Sequence, residues 1–327
     1  AAAYTQSPLY YSNQNQYFLH GLAAGGFGHL RHDWLAQTRD PTPAFSAVVA
    51  AGYRHAGEWV FQAAFAGLLM GYFLSVRWLV AALPGLPDTR NFRLAFAALF
   101  TAAHAAILRV ASVELTGVDY PWYLQCGVAN QYLLGTGLQP SAFGVLLVAA
   151  LAAFAHRRPV LAAALAGAAC LFHATYLLPA GVLVLGFLVA LFRTHPDPGP
   201  TAFRMVLVAS ALVAPVVTYA VWQFGSENTD LFLESQRVLA EVRIPHHAVI
   251  DRWFAPIDGL QLAWAAVGLA LLRGTRLFPV LVVAALLGLG LSVAQYATKS
   301  PSLALLFPWR ISAVLVPVAT AVILANL

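Results

Sequence analysis

Charge is what this sequence has least of. Asp, Glu, Lys and Arg together make up 9% of its 327 residues, against about 25% in a soluble globular domain. That scarcity excludes an ordinary water-soluble surface. The 60% share of apolar letters and the mean hydropathy of +0.72 place the chain in a membrane. Lysine is nearly absent: 17 of the 18 basic residues are Arg and the other is Lys299, as in a GC-rich bacterial coding sequence. The net charge of +5 raises the question of a nucleic-acid partner. The arginines are scattered in ones and twos between apolar runs, so no nucleic acid is expected. Two cysteines, Cys126 and Cys170, support neither a disulfide framework nor a thiolate metal site. Internal repeats, low-complexity tracts and a Walker-type loop are missing too. Gly25-Gly26-Phe27-Gly28 lacks the spacing and preceding strand of a phosphate cradle and reads as a flexible turn.

What is present is a series of apolar runs, and the expected fold class is all-α: a polytopic transmembrane helix bundle. A span needs roughly 17 to 25 residues, and nine runs, some short, fit about 56–82, 92–111, 141–155, 159–174, 176–192, 203–223, 259–272, 277–297 and 304–326. The turns between alternate runs hold Arg90 with Arg93, Arg157 with Arg158, Arg193 with Arg204, and Arg273 with Arg276, plus only two acids, Asp88 and Asp197. Short cytoplasmic loops collect Arg and Lys, so these turns are expected inside. The other eleven acids, among them Glu58, Glu227 and Asp258, then fall outside. Three long segments also fall outside: 1–55, 112–140 and 224–258. The expected organisation is an outer loop with interfacial helices over 1–55 and a transmembrane bundle over 56–327. The chain opens at Ala1 without Met and closes in Val322-Ile323-Leu324, so further spans beyond both ends are expected. Long connections are seldom kept without a use, which puts the work on the outer face.

The first outer segment is the most polar stretch. Phe27, Leu30 and Trp34 follow helical spacing and would lay an apolar stripe on a bilayer or bundle, with Asp33 beside it at membrane-surface depth. Asp33 is the expected catalytic carboxylate and Asp40 its fallback. In the third segment, Leu231 to Val242 reads as an amphipathic surface helix whose Glu234, Arg237 and Glu241 pair along one face. Arg243, His246, His247 and Arg252 follow it around a Pro turn, a concentrated set of donors suited to phosphate; a lipid-headgroup contact is the plainer reading. Adjacent histidines point apart, which argues against zinc. The second segment groups Glu114 and Asp119 with Tyr120, Trp122 and Tyr123, read either as membrane-interface anchors or as a sugar-binding set. Arg310 opens the last apolar run, where a charge usually faces a cavity or an anionic partner. His104 and His173 lie alone on apolar runs and receive no role.

This arrangement resembles the GT-C superfamily of membrane glycosyltransferases, in which a long first outer loop carries an acidic residue after a first transmembrane helix. The resemblance implies a GT-C-like fold with surface helices in the outer loops. It also implies a polyprenyl-phosphate or polyprenyl-diphosphate sugar as donor. The loop acid would be Asp33, and the phosphate-contacting cations would fall among Arg243, His246, His247, Arg252 and Arg310. His32-Asp33-Trp34 has one acid where several of these families have two, and the first helix is not in the chain. The implied chemistry uses a carboxylate as general base on the acceptor hydroxyl and cations on the departing phosphate oxygen. A divalent metal ion could share that duty, held by Asp33 with Glu114 or Asp119. The expected function is therefore transfer of a sugar from a polyprenyl-phosphate-linked donor on the periplasmic side of a bacterial inner membrane, with the lipid-linked donor and membrane lipids as partners. The alternatives are a transporter or flippase, and a polysaccharide polymerase or ligase of similar topology.

Overall fold

A computed structural model describes residues 2–226 and 228–327; Ala1 and Glu227 lie outside the described residues. Prolines and short caps start the helices, as their missing or satisfied N–H groups require. Pro43, Pro159, Pro256 and Pro301 stand at first helical positions, and the Thr89 hydroxyl accepts the Phe92 N–H at 3.2 Å. Glycines in the left-handed region close two helices at Gly26 and Gly117.

In chain order, a surface hairpin of α1 (Gln14–Gly25) and α2 (Pro43–Ala56) leads into α3 (Trp59–Ala81), α4 (Arg90–Ala103) and α5 (Ala106–Thr116). After a one-turn α6 (Tyr120–Tyr123) the chain runs through a buried loop to α7 (Val145–Ala155), α8 (Pro159–Phe172), α9 (Leu177–Thr194) and α10 (Gly199–Phe224). The third loop segment holds α11 (Thr229–Arg237), α12 (Pro245–Ala248) and α13 (Ile250–Trp253). Then come α14 (Pro256–Leu271), α15 (Leu277–Thr298), α16 (Pro301–Leu305) and α17 (Ser312–Asn326). No named strand occurs among the described residues; Gly127 and Gln131 form one isolated bridge.

Five helical stretches are long and apolar enough to cross a membrane, and six if the bent pair α4 and α5, broken by 52°, counts as one. The stretches over 140–155, 159–172 and 256–271 are apolar but shorter. Length thus supports five or six crossings where the hydropathy pattern suggests nine, because several runs stop at a break before reaching bilayer thickness. The multi-pass helical class itself stands.

The bundle is organised around α17. Most of its side chains are small or branched and apolar, and 78% of the stretch from α16 to α17 is buried against 6% of α10, which lies at the periphery. Close approach depends on glycine. A Cβ on Gly268 of α14 would stand 2.4 Å from the Ala319 Cβ of α17, and one on Gly186 of α9 2.8 Å from the Val280 carbonyl oxygen of α15. The only polar side chain inside α17 before its last turn besides Ser312 is Thr320. It is used twice: its hydroxyl donates to the Leu124 carbonyl at 2.7 Å and accepts from Trp264 Nε1 at 2.9 Å. The helix that carries Arg310 at its entrance is therefore held on all sides.

Gly268→Ala is expected to lower thermal stability in detergent by about 1–3 kcal/mol through overpacking. Gly71→Ala on α3, where a Cβ meets nothing within 4 Å, should leave the unfolding midpoint unchanged or raise it. Equal losses in both variants would contradict the packing described.

Candidate functional site

The site is built from the last helix backwards. Phe307, in the left-handed region at φ 48°, turns the chain into a short 3-10 segment, Pro308–Ile311, that delivers Arg310 to the head of α17. Around it a small separate core joins Val128 and Ala129, Ala240 and Ala248, and Ala304, Phe307 and Trp309. Three remote segments therefore pack together at the turn that carries Arg310.

The loop from Gln125 to Gly144 is mostly buried without regular structure, so its backbone polar groups need partners. Asp258 at the start of α14 supplies two: Oδ1 accepts from Ala129 N–H at 2.9 Å and Oδ2 from Ala255 N–H at 2.8 Å. The Ser312 hydroxyl accepts from Val128 N–H at 3.0 Å, and Gln261 Nε2 donates to the Cys126 carbonyl at 2.7 Å. Ala129 and Asn130 both take left-handed conformations, at φ 55° and 53°. Such a geometry in a non-glycine residue costs on the order of 1–3 kcal/mol and persists only where surrounding contacts enforce it. Here it sets Gln131, the next residue, inside the site.

Arg310 has no carboxylate within ion-pair range among the described residues. Its Nε and Nη2 donate to Gln131 Oε1, the former at 2.8 Å, and its Nη1 donates to His173 Nε2 at 3.2 Å and to the Thr175 hydroxyl. All three acceptors are neutral. They use four of the five guanidinium N–H groups and leave one on Nη2. The Arg310 Cζ lies over the Phe307 and Tyr176 rings, 5.4 and 5.9 Å from their centres. Tyr17 and Tyr176 pack edge-on against the His173 ring, with ring centres at 6.1 and 5.6 Å. A part-buried cation with hydrogen bonds but no counter-charge carries an uncompensated desolvation cost of several kcal/mol. A bound anion would offset it.

Because Gln131 turns its oxygen to Arg310, its Nε2 faces His247 Nδ1 at 3.1 Å, and the same Nδ1 lies 3.3 Å from the Ala129 carbonyl oxygen. His173 Nε2 accepts from Arg310, since a guanidinium can only donate. Burial, the neighbouring His246 ring at 4.3 Å and the Arg310 charge hold the His247 pKa below its usual 6.5, against the pull of the Ala129 carbonyl. His246 itself is exposed.

Of the residues expected to act, Arg310 and His247 meet through Gln131, with the His246 ring tilted by 48° against that of His247. Arg243 and Arg252 are exposed. Asp33 is exposed: it follows a 3-10 turn, and Oδ1 accepts from Leu35 N–H at 2.8 Å. Phe27, Leu30 and Trp34 are not on one helix, since two 3-10 turns replace it. Phe27 and Leu30 pack inward while Trp34 stays 76% exposed. Asp40 caps Thr42 N–H, and its carbonyl accepts from the Tyr219 hydroxyl, tying α2 to α10. Glu114 is exposed on α5. Asp119 is an N-cap for α6 and pairs with Arg109 at 2.7 Å, and Arg109 lies over Trp122. Of the residues suggested to hold a metal, Asp119 is engaged by Arg109, and among the described residues no three His, Cys, Asp or Glu side chains gather. The surface helix over 231–242 forms as α11 and a π-helical turn, Val238–Arg243, with Arg237 paired to Glu234 at 2.7 Å and Glu241 at 3.7 Å. Gln131, Thr175 and Tyr17 carried no sequence signal, and His173 looked like a packing residue. A scan of family models and searches of curated proteins and of solved structures each return no match.

His247 gives a pH prediction. Above 6.5 both folded and unfolded chains hold it neutral, and it contributes nothing. As pH falls from 6.5 towards the lower folded-state value, the unfolded chain takes up the proton first and stability is lost. The unfolding midpoint should drop between pH 7 and pH 5, and His247→Gln should remove part of that drop. An unchanged slope in the variant would contradict the assignment.

Proposed function

We propose that this chain is an integral membrane glycosyltransferase of the GT-C type. It transfers a sugar from a polyprenyl-phosphate-linked donor, with Arg310 receiving the donor phosphate. The single observation that carries this reading is the guanidinium at the head of α17: part-buried, without a counter-charge, and with one Nη2 N–H left beyond its neutral partners. A phosphate oxygen supplies the missing charge and accepts that proton. His247 belongs to the same network through Gln131, and Tyr17 packs edge-on against the His173 ring that accepts from Arg310.

In this reading Arg310 stabilises charge growing on the departing phosphate oxygen, and Asp33 takes the proton of the acceptor hydroxyl. The role of Asp33 is supported by the resemblance and by its place on an exposed turn of the first loop segment. The long-loop end faces the periplasm of a bacterial inner membrane, since the paired arginines mark the other end as cytoplasmic. Nine crossings would require the three shorter apolar helices to traverse the bilayer as well. A polymerase or ligase acting on a diphosphate lipid would use the same guanidinium. A transporter is the second reading, favoured by the 52° break between α4 and α5 beside buried His104.

Arg310→Gln should lower transfer from a synthetic polyprenyl-phosphate sugar by about 100-fold or more, the scale of removing one partner from a desolvated charge pair, with membrane insertion unchanged. Asp33→Asn should abolish transfer; full activity would remove Asp33 from the mechanism. Wild-type protein that moves a lipid or solute across vesicles but transfers no sugar would favour the transporter.

A further inference from the structure

We propose that the end of the bundle opposite Arg310 carries a second anion site, built for a phospholipid headgroup with two phosphates. A cavity of about 490 Å3 opens there, lined by Arg157, Thr194, His195, Thr201 and Arg276 among others, within the roughly 300–1,000 Å3 of small-molecule sites. The lining comes from three breaks between helices. Arg157 lies between α7 and α8, Thr194 and His195 end α9, Thr201 is in the first turn of α10, and Arg276 immediately precedes α15. The starts of α8, α10 and α15 therefore all lie at this cavity, and their backbone N–H ends add to its positive potential.

No carboxylate lines the cavity, and neither Arg157 nor Arg276 has an ion-pair partner among the described residues. The one acid of this turn, Asp197, is exposed, and its backbone N–H donates to His195 Nδ1 at 3.2 Å. Arg276 is pre-positioned: its guanidinium lies 5.0 Å from the Phe154 ring centre and Nη1 donates to the Phe154 carbonyl at 3.4 Å. Burial and the charge of Arg157 together lower its pKa, so two like charges face one space without compensation. Arg157 is also held at φ 60°, a left-handed conformation unusual for arginine. An anion between the two guanidiniums relieves the repulsion, and two phosphates match two forks.

The surroundings favour a lipid over a free anion. Next to the cavity, Phe192 on α9 and Phe203 and Leu207 on α10 are 60%, 68% and 56% exposed, which gives acyl chains an apolar surface leading away from the charged pocket. Basic pockets between helices on a cytoplasmic face bind diacidic phospholipids in this manner.

The test uses the full chain in uncharged detergent. A tetra-acyl diphosphatidylglycerol, phosphatidylcholine and inorganic diphosphate are added separately, and the unfolding midpoint and lipid retention by native mass spectrometry are read. The diacidic lipid should raise the midpoint and be retained, while phosphatidylcholine should do neither. The Arg157→Gln/Arg276→Gln double variant should need at least about tenfold more lipid for the same shift, and Arg273→Gln/Arg193→Gln, an equal loss of two charges at exposed positions outside the cavity lining, should behave as wild type. If the double variant does not fold, Arg276→Lys, which keeps charge and loses the fork, should show weakened retention. Equal retention in wild type and the folded cavity variants overturns the site. A shift with inorganic diphosphate and none with the lipid overturns the lipid assignment.

Discussion

One cation without a counter-charge governs this structure. A guanidinium brought into a low-dielectric bundle must be hydrogen-bonded or it is expelled towards water. Arg310 is hydrogen-bonded by Gln131, His173 and Thr175, none of which can neutralise it. Much of the surrounding architecture supplies those three acceptors. The buried loop is clasped by Asp258, Gln261 and Ser312 so that Gln131 reaches inward, and the break between α8 and α9 places His173 and Thr175 opposite. Left-handed residues at Ala129, Asn130 and Phe307 hold these turns in place. Stability is given up locally to keep one donor free, a pattern expected where the final partner is a ligand.

The same logic explains why the acids are spread as they are. Asp119 is matched with Arg109, Asp251 with Lys299 at 2.6 Å, and Glu234 with Arg237. Asp258 is buried but spends both oxygens on backbone N–H groups. Each of these carboxylates has a local structural task, and none is spent on Arg310. At the opposite end Arg157 and Arg276 repeat the condition of cations without acids. The two ends are thereby distinguished: at one, Arg310 is bonded only to neutral side chains, and at the other two arginines share an open cavity.

Much of the fold was legible because long apolar runs bounded by Pro, Gly and Arg pairs leave strong local signals; α3, α10 and α15 follow them closely. Crossing number was harder, since a break such as that at His104 shortens a run without changing its composition. Arg310 was legible because a charge in an apolar run is costly and therefore conspicuous. His246 and His247 stood out as an adjacent pair. Gln131 and His173 did not, because single neutral polar residues in such runs are usually packing groups. What makes them functional candidates is convergence over 137 and 179 residues of separation, which no local pattern encodes. Asp33 and Asp40 drew attention as acids in a polar stretch, yet local capping is the commonest use of an Asp in a turn, and both cap neighbouring N–H groups.

The most direct measurement of the central claim is an experimental density map of the protein with a short-chain polyprenyl phosphate bound. The account predicts a phosphate oxygen within about 3 Å of Arg310 Nη2, the hydrogen-bond distance for a charged pair, with Gln131 and His173 still bonded to the guanidinium. A phosphate seated elsewhere, with the Arg310 N–H groups unchanged and turned away from it, would contradict it.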